Sequence, residues 1–391
     1  MKLKGFPLTL DTYEPADVLT NKHFARFVMP DFEKVYLPSS MRPFMDNEPE
    51  GSREFIVDDN RGAVSPFPSL QLDGTDFYLS VKGVGSTVNP FSQQSLSKTE
   101  VCSLVKNPRL RDRIASSEER IPRYLTGELW LRGSPYGGQG LDHATTSMRV
   151  SEMADLTSIN GFRVALIVKI VFLPGALERE IKQVYWYRRF GGRMVQETRL
   201  VPSNVRIYFH SGSTIGRNTK SVFDLFGIDN NSKALEFQKN FVKSGIAFLT
   251  LFTRSIRKND DGTYSGIDFY DVWLDKDAVL APDGTAYFVD LEGLEWITIK
   301  KSQVHEKIDD QIFRSLYEFM YAYEQIERER AARFGEMMDR KGQFEFILKE
   351  ALKDDEVAEV TSDGLSLHLI IGNILREQTL IKKFPMIDRV A

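Results

Sequence analysis

Cysteine is almost absent from the 391-residue chain, which contains only Cys102. A single cysteine excludes disulfide bonds within the chain and a zinc site built from several cysteines. This low count is typical of proteins in a reducing compartment. Histidine is also scarce, and its five positions are too widely spaced to form a metal-binding motif. They are His23, His143, His210, His305 and His368.

The sequence also lacks a long apolar run and a large excess of charge. The net charge of −4 argues against a chain built as a whole to grip nucleic acid. The most apolar stretch, residues 162–175, is too short to span a bilayer and contains Arg163 and Lys169. Its length and its Val and Ile content predict a buried strand. The N-terminus has no apolar core typical of a signal peptide. We therefore expect a cytoplasmic protein that binds neither nucleic acid nor membrane.

The pattern of apolar residues changes from strand spacing to helical spacing along the chain. Residues 71–212 contain strand signals with one helix-like stretch at 141–156, and residues 213–391 have mostly helical periodicity. The helical stripe includes Ile312, Leu316, Phe319, Met320 and Tyr323. Residues 1–70 have no clear role and are assigned to an N-terminal extension. The order predicts an α+β fold with a sheet-rich first lobe, a helical second lobe and a cleft between them.

A short hairpin interrupts the helical part. Residues 277–293, "DAVLAPDGTAYFVDLEG", contain two apolar strands around a Pro-Asp-Gly turn. Asp277 and Asp290 lie at the two ends, thirteen residues apart. Carboxylates in such positions can hold Mg²⁺ together with substrate phosphates, as they do in protein kinases. The alternative is a surface hairpin with acidic ends.

Lys82 directly follows an apolar strand and precedes Gly83 and Gly85. A kinase fold needs a strand lysine that contacts the nucleotide phosphates and a helix glutamate that orients it. Glycines let backbone N–H groups approach phosphates closely. Glu152 is the glutamate of the helix-like stretch 141–156. The alternatives are a surface turn at Lys82 and a solvent-facing Glu152.

Four segments in this order resemble one family. They are "VKGVGSTVNPFS" from residue 81, "RGSPYGGQGLDHA" at 132–144, "SEMADLTSINGFRVAL" from residue 151, and "ETRLVPSNVRIYFHSG" at 197–212. The last has Arg199 and Arg206 seven residues apart. Together they resemble the selenoprotein O family of pseudokinases over about residues 75–210 and, loosely, 277–293.

The resemblance implies a bilobal protein-kinase-like fold that binds ATP in a flipped orientation and transfers AMP to hydroxyl groups of a protein substrate. The expected cofactors are ATP and Mg²⁺ or Mn²⁺. Glu152 would orient the lysine, and Asp277 and Asp290 would bind the metal. The residues expected to contact the nucleotide are Lys82, Gly83, Gly85, Gly138, Gly140, Arg199 and Arg206.

The chain departs from the family at several points. Residues 93–132 separate two glycine segments that the family keeps together, and Ser147 stands one turn before Glu152 where the family glutamate can align. The position of the kinase catalytic base is Val272, flanked by Asp271 and Asp275. Two other functions therefore stay open. One is a kinase that uses Asp271 or Asp275 as base, and the other is an inactive pseudokinase scaffold that binds a nucleotide or a partner protein.

Overall fold

The computed structural model describes most of the chain in separate ranges. These are residues 6–38, 47–57, 62–84, 139–175 without 156 and 160, 193–207, 221–269 and 277–339, and the positions 178, 274, 342, 343, 346, 347 and 350. The predicted insertion at 93–132 lies outside them, as do Gly85, Gly138, Asp271, Val272 and Asp275.

The described ranges contain sixteen strands and five α-helices. In chain order the strands are β1 (Phe6–Tyr13), β2 (Val18–Thr20), β3 (Val35–Pro38), β4 (Gly51–Val57), β5 (Gly62–Leu72), β6 (Thr75–Lys82), β7 (Gln139–Gly140), β8 (Ser158–Ile159), β9 (Phe162–Arg163), β10 (Leu166–Phe172), β11 (Met194–Val201), β12 (Arg257–Lys258), β13 (Tyr264–Phe269), β14 (Ala278–Leu280), β15 (Ala286–Phe288) and β16 (Leu294–Ile299). The helices are α1 (Leu141–Met153), α2 (Val222–Phe226), α3 (Asn231–Leu249), α4 (Leu251–Ser255) and α5 (Val304–Phe334).

The largest element is a nine-stranded antiparallel sheet. Its order is β2-β10-β11-β6-β5-β4-β1-β3, and β7 pairs with β11 beside this path. All seven residues of β10 and all eight of β11 are buried, because other elements cover both faces of these central strands. The buried strand that we predicted within residues 162–175 is confirmed by β10.

Residues 1–70 contribute directly to this sheet. Strands β1 to β4 and most of β5 come from this segment, and β5 pairs with β6, the strand that ends at Lys82. The boundary that we placed after residue 70 falls inside β5. Tyr36 of β3 and Phe55 of β4 stack edge to face, with ring centroids 4.8 Å apart, in the core of this part of the sheet.

The predicted hairpin is confirmed by β14 and β15, which pair antiparallel from Ala278 opposite Phe288 to Leu280 opposite Ala286. It lies in the core, between the sheet and the helices. The ring of Phe288 stacks on Phe162 at 4.6 Å and on Phe248 of α3 at 5.1 Å between centroids. The alternative of a surface hairpin is therefore wrong for this segment.

Helices α3 and α5 pack against each other at close range. A Cβ atom added to Gly245 of α3 would lie 2.0 Å from the ring of Phe319 of α5. Within the predicted stripe, Ile312, Phe319 and Tyr323 are buried and Met320 is partly buried. The helical periodicity of this part of the sequence is thus confirmed at these four positions.

One element was not predicted. Strands β12, β13 and β16 form a small antiparallel sheet among the helices. The whole is a mixed α+β fold, as expected. None of the helices in the described ranges is both long enough and apolar enough to cross a bilayer.

The turn of the hairpin provides a test of this packing. Gly284 has a φ of +96°, and a Cβ atom there would lie 2.1 Å from the carbonyl oxygen of Phe237. Gly262 has a φ of +81° and no atom within 4 Å of an added Cβ. Both alanine variants suffer the left-handed backbone strain, roughly 1–2 kcal/mol. Only Gly284→Ala also collides with the helix α3 backbone, which adds roughly 1–3 kcal/mol.

We expect Gly284→Ala to lower the free energy of unfolding clearly more than Gly262→Ala. Urea unfolding followed by circular dichroism measures both variants against the original chain. Equal losses in the two variants would contradict the packing of the hairpin turn on α3.

Candidate active site

Lys82 is the centre of a buried group of charged side chains. It is the last residue of β6 and is only 6% exposed. Its Nζ forms an ion pair with Asp290 and lies 2.5 Å from Oε1 and 2.6 Å from Oε2 of Glu292. We call Lys82, Asp290 and Glu292 the Lys82 cluster. The surface-turn alternative for Lys82 is wrong, because the side chain points into a buried, paired position.

The hairpin brings the two carboxylates to Lys82. After β15 ends at Phe288, the backbone N–H of Val289 donates to the carbonyl of Asp277 at 2.8 Å. Asp290 follows at once and begins a short 3-10 turn, Leu291–Gly293, in which Leu291 is buried. The strand end and the buried turn thus hold Asp290 and Glu292 at the level of Lys82.

Arg199 fixes the strand end from the sheet side. It lies on β11, is buried, and donates from Nη1 to the carbonyl oxygen of Val289 at 2.5 Å and from Nε to Ser80 Oγ at 3.4 Å. The Arg199 guanidinium therefore contacts the main chain one residue before Asp290. Arg206 is half-buried, and its positive charge reaches Arg199. The resemblance implied that both arginines contact the nucleotide, and this stays a prediction.

Glu197 is a charged neighbour that sequence reasoning missed. In the antiparallel register of β11 and β6 it lies directly opposite Lys82, and it is fully buried. One carboxylate oxygen lies 3.9 Å from Nη1 of Arg199, and neither oxygen has a hydrogen-bond partner among the described residues. The sequence signal was a Glu and an Arg within the otherwise strand-like "MVQETRLV".

Helix α1 closes the cluster from another side. Ser147, fully buried, donates from Oγ to Oε2 of Glu292 at 3.3 Å, and α1 packs on the turn Leu291–Gly293. Glu152 lies elsewhere. Its carboxylate accepts a hydrogen bond from the backbone N–H of Lys22 at 3.0 Å. The structure thus pairs Lys82 with Glu292 where we expected Glu152.

The two acidic partners of Lys82 differ in their electrostatics. Burial raises the pKa of Glu292 to about 7, and the hydrogen bond and negative charge of Asp290 act in the same direction. Burial also opposes ionisation of Asp290, but the charge of Lys82, the hydrogen bonds from Glu292 and Lys82 and the charge of Arg199 together hold the pKa of Asp290 well below its ordinary value. Burial disfavours the Lys82 ammonium, yet the charges of Asp290 and Glu292 raise its pKa overall. Asp290 and Lys82 are therefore the stably charged pair.

The glycines expected near the nucleotide occupy different places. Gly83 follows Lys82 with a φ of +96°, and its carbonyl accepts from Gln196 at 3.3 Å. Gly140 pairs with Met194 of β11 and immediately precedes α1. Gly85 and Gly138 lie outside the described residues.

Of the two aspartates predicted to bind the metal, Asp290 belongs to the Lys82 cluster. Its side chain is 30% exposed, against 19% for Glu292 and 8% for Lys82, so it is the most accessible group of the cluster. Asp277 is buried at the same open end of the hairpin, where its backbone carbonyl accepts from the N–H of Val289, one residue before Asp290. No group of three or more His, Cys, Asp or Glu side chains in the described ranges is arranged to hold a metal. Mg²⁺ bound through substrate phosphates needs only one or two carboxylates.

No protein-family model matches the chain, and no curated protein matches it. A proposal on function therefore depends on the geometry of the Lys82 cluster.

The raised pKa of Glu292 predicts a pH dependence of stability. The folded chain keeps a proton on Glu292 up to about pH 7, whereas the unfolded chain releases it near the ordinary value of 4.5. The stability contributed by this proton is present below pH 4.5 and is lost as the pH rises through 7. This loss is on the order of 2 kcal/mol in the free energy of unfolding.

We expect Glu292→Gln to flatten this part of the profile, because glutamine does not titrate. Urea unfolding between pH 5 and pH 8, with a chelator present, measures the slope. Glu295→Gln, at an exposed position of β16, is the matched control and should keep the original slope. Parallel profiles for Glu292→Gln and the original chain would show that Glu292 is already ionised at pH 5.

Proposed function

We propose that this chain is a kinase-like, ATP-dependent transferase that transfers AMP to protein hydroxyl groups. The observation that carries the proposal is the contact between Lys82 and Asp290. A lysine at the end of a sheet strand meets an aspartate that directly follows a buried hairpin, in the sequence "FVDLEG". In protein kinases, a strand lysine contacts the nucleotide phosphates and the aspartate after such a hairpin holds Mg²⁺.

The order of elements around Lys82 supports a kinase-like first lobe. Strands β4, β5 and β6 form an antiparallel meander that ends at Lys82, and the next described helix is α1. Helix α1 packs on the turn that follows Asp290. A strand lysine, a following helix and a metal-binding aspartate come together in the same way in kinases.

The side chains present fit a metal-bound nucleotide. The Lys82 ammonium would bind phosphate oxygens, and Asp290 would hold Mg²⁺ or Mn²⁺. When bound, the metal neutralises phosphate charge that develops during transfer. Arg206, near Arg199, would add positive charge at the same site. Arg199 would act indirectly, because its contact with the carbonyl of Val289 positions Asp290.

Transfer of AMP and transfer of phosphate differ in the label that moves. ATP labelled at the α-phosphate marks the acceptor protein in AMP transfer, and ATP labelled at the γ-phosphate marks it in a kinase reaction. The full chain is incubated with each nucleotide, Mg²⁺ or Mn²⁺ and a protein acceptor, with the chain itself as one acceptor. Label from the α-phosphate supports the proposal. Label from the γ-phosphate indicates a kinase, and binding without transfer indicates a scaffold; either result overturns AMP transfer.

The first prediction for this site concerns Lys82. Lys82→Met keeps most of the side-chain volume but removes the charge that would bind phosphate. We expect affinity for metal-bound ATP or the rate of transfer to fall at least about tenfold, or ~1.4 kcal/mol. Calorimetric titration and the labelling assay measure the two quantities.

Lys169→Met is the matched control for this prediction. Lys169 is also a buried strand lysine of the same sheet, and it pairs with Glu33. Unchanged affinity and unchanged transfer in Lys82→Met would remove Lys82 from the site, and an equal loss in both variants would point to a general loss of stability.

The second prediction concerns Asp290. We expect ATP with Mg²⁺ or Mn²⁺ to raise the melting temperature, because a ligand that binds only the folded state stabilises it. Asp290→Ala should abolish this shift. Asp283→Ala, at the exposed turn of the same hairpin, should retain it. Differential scanning fluorimetry compares the three chains, and a full metal-dependent shift in Asp290→Ala would contradict the metal role of Asp290.

A further inference from the structure

Glu292 makes the deeper and more extensive of the two carboxylate contacts to Lys82. Both of its oxygens lie within 2.6 Å of Nζ, whereas Asp290 uses one oxygen. Its side chain is also less exposed than that of Asp290. A two-oxygen contact restricts the position of an ammonium group more than a one-oxygen contact does, because it removes more of the flexibility of the lysine side chain.

Glu292 is itself held in place by its surroundings. It lies in the turn Leu291–Gly293, whose first and last residues are buried. Ser147 of α1 donates a hydrogen bond to Oε2 at 3.3 Å. Lys82, Asp290 and Ser147 contact Glu292, and the negative charge of Glu197 also acts on it.

Helix α1 has no glutamate on the side that faces the turn Leu291–Gly293. Ser147 occupies that side, and Glu152 is five residues later, about 140° around the helix axis. The carboxylate of Glu152 is engaged with the backbone of Lys22 instead. The carboxylate that contacts Lys82 therefore comes from Glu292, in the turn after the hairpin, and not from α1.

We infer that Glu292, and not a glutamate of helix α1, is the residue that positions Lys82 for phosphate binding. Asp290, the more exposed carboxylate, is left to serve the metal. The catalytic meaning of this assignment rests on the function proposed above, but the positioning itself does not. Ser147 acts through Glu292, because its hydrogen bond holds the carboxylate that positions Lys82.

Brief acetylation of lysine side chains by acetic anhydride, read by peptide mass spectrometry, tests the positioning without nucleotide. Loss of a carboxylate partner makes Lys82 more mobile and lowers its pKa, and both changes speed acetylation. At pH 8, where Glu292 is ionised, we expect Glu292→Gln to raise the initial rate at Lys82 at least about fivefold, because Lys82 loses the carboxylate that contacts it through both oxygens. Asp290→Asn should raise it less. Lys169, in the same sheet, should be unchanged in both variants.

A compensating variant gives a second, independent readout. Ser147 lies next to Glu292, so a glutamate at position 147 can reach the space that Glu292→Ala vacates. We expect Glu292→Ala alone to leave Lys82 open to acetylation. Glu292→Ala together with Ser147→Glu should restore the protection of Lys82. If Glu292→Gln exposes Lys169 as well as Lys82, the chain has unfolded, and restored protection in the compensating variant then supports the inference.

Two results would overturn the assignment. One is a Lys82 that stays protected in Glu292→Gln but becomes reactive in Asp290→Asn. The other is a compensating variant in which Lys82 is as reactive as in Glu292→Ala. The labelling assay separates this failure from failure of the proposed function. If the Glu292 variants alter the reactivity of Lys82 but the original chain transfers nothing from ATP, the proposed function alone is overturned. If Glu292→Gln transfers the label with unchanged kcat and KM for ATP, the positioning role alone is overturned.

Discussion

The ion pair between Lys82 and the carboxylates of Asp290 and Glu292 is the contact on which the arrangement of this protein depends. A buried ammonium group is costly unless carboxylates pair with it, and removal of one partner leaves an uncompensated charge. Lys82 belongs to the large sheet, whereas its partners follow the hairpin β14–β15. The ion pairs therefore form only when the sheet and the hairpin meet in one register.

Several weaker contacts serve the same junction. Arg199 binds the carbonyl oxygen of Val289, and the backbone of Ala165 donates to the carbonyl of Phe288 at 2.7 Å. The Phe288 ring connects the sheet side to helix α3 through its stacking on Phe162 and Phe248. Apolar packing supplies most of the cohesion here, and the charged groups select the register. A site built in this way places its polar atoms on rigid strands and turns rather than on loops.

The cluster combines one lysine with two carboxylates that differ in exposure and in pKa. This difference allows the two carboxylates to take different roles. Asp290 stays ionised and accessible, whereas Glu292 is deeper and has a raised pKa. Groups with such displaced pKa values occur often at functional sites. Glu197 adds a third buried carboxylate, directly opposite Lys82 on the neighbouring strand β11. We assign Glu292 to the lysine and Asp290 to a metal because the side chain of Glu292 is less exposed than that of Asp290.

Local patterns in the sequence were sufficient for several elements. The Val- and Ile-rich run predicted β10, the Pro-Asp-Gly turn predicted the hairpin, and helical periodicity predicted α1 and α5. Periodicity failed where strands were short or mixed. The segment before residue 70 forms strands with few regular apolar alternations, and β13 pairs with β16 across the 24 intervening residues that contain the hairpin. Such pairings depend on partners that a single window of sequence does not contain.

For the site, the sequence by itself determined which side chains carry charge at the ends of apolar segments. Lys82 after β6 and Asp290 after β15 were recognisable because a charge that follows a buried strand is anchored by that strand. The tertiary structure decided which of the acidic residues meets Lys82. Glu292 is separated from Lys82 by 210 positions, and Glu152 by far fewer, yet Glu292 makes the contact. Helix α1 packs on the turn Leu291–Gly293 so that Ser147 contacts Glu292, whereas Glu152 binds the backbone of Lys22, and no local sequence pattern records this rotation of the helix.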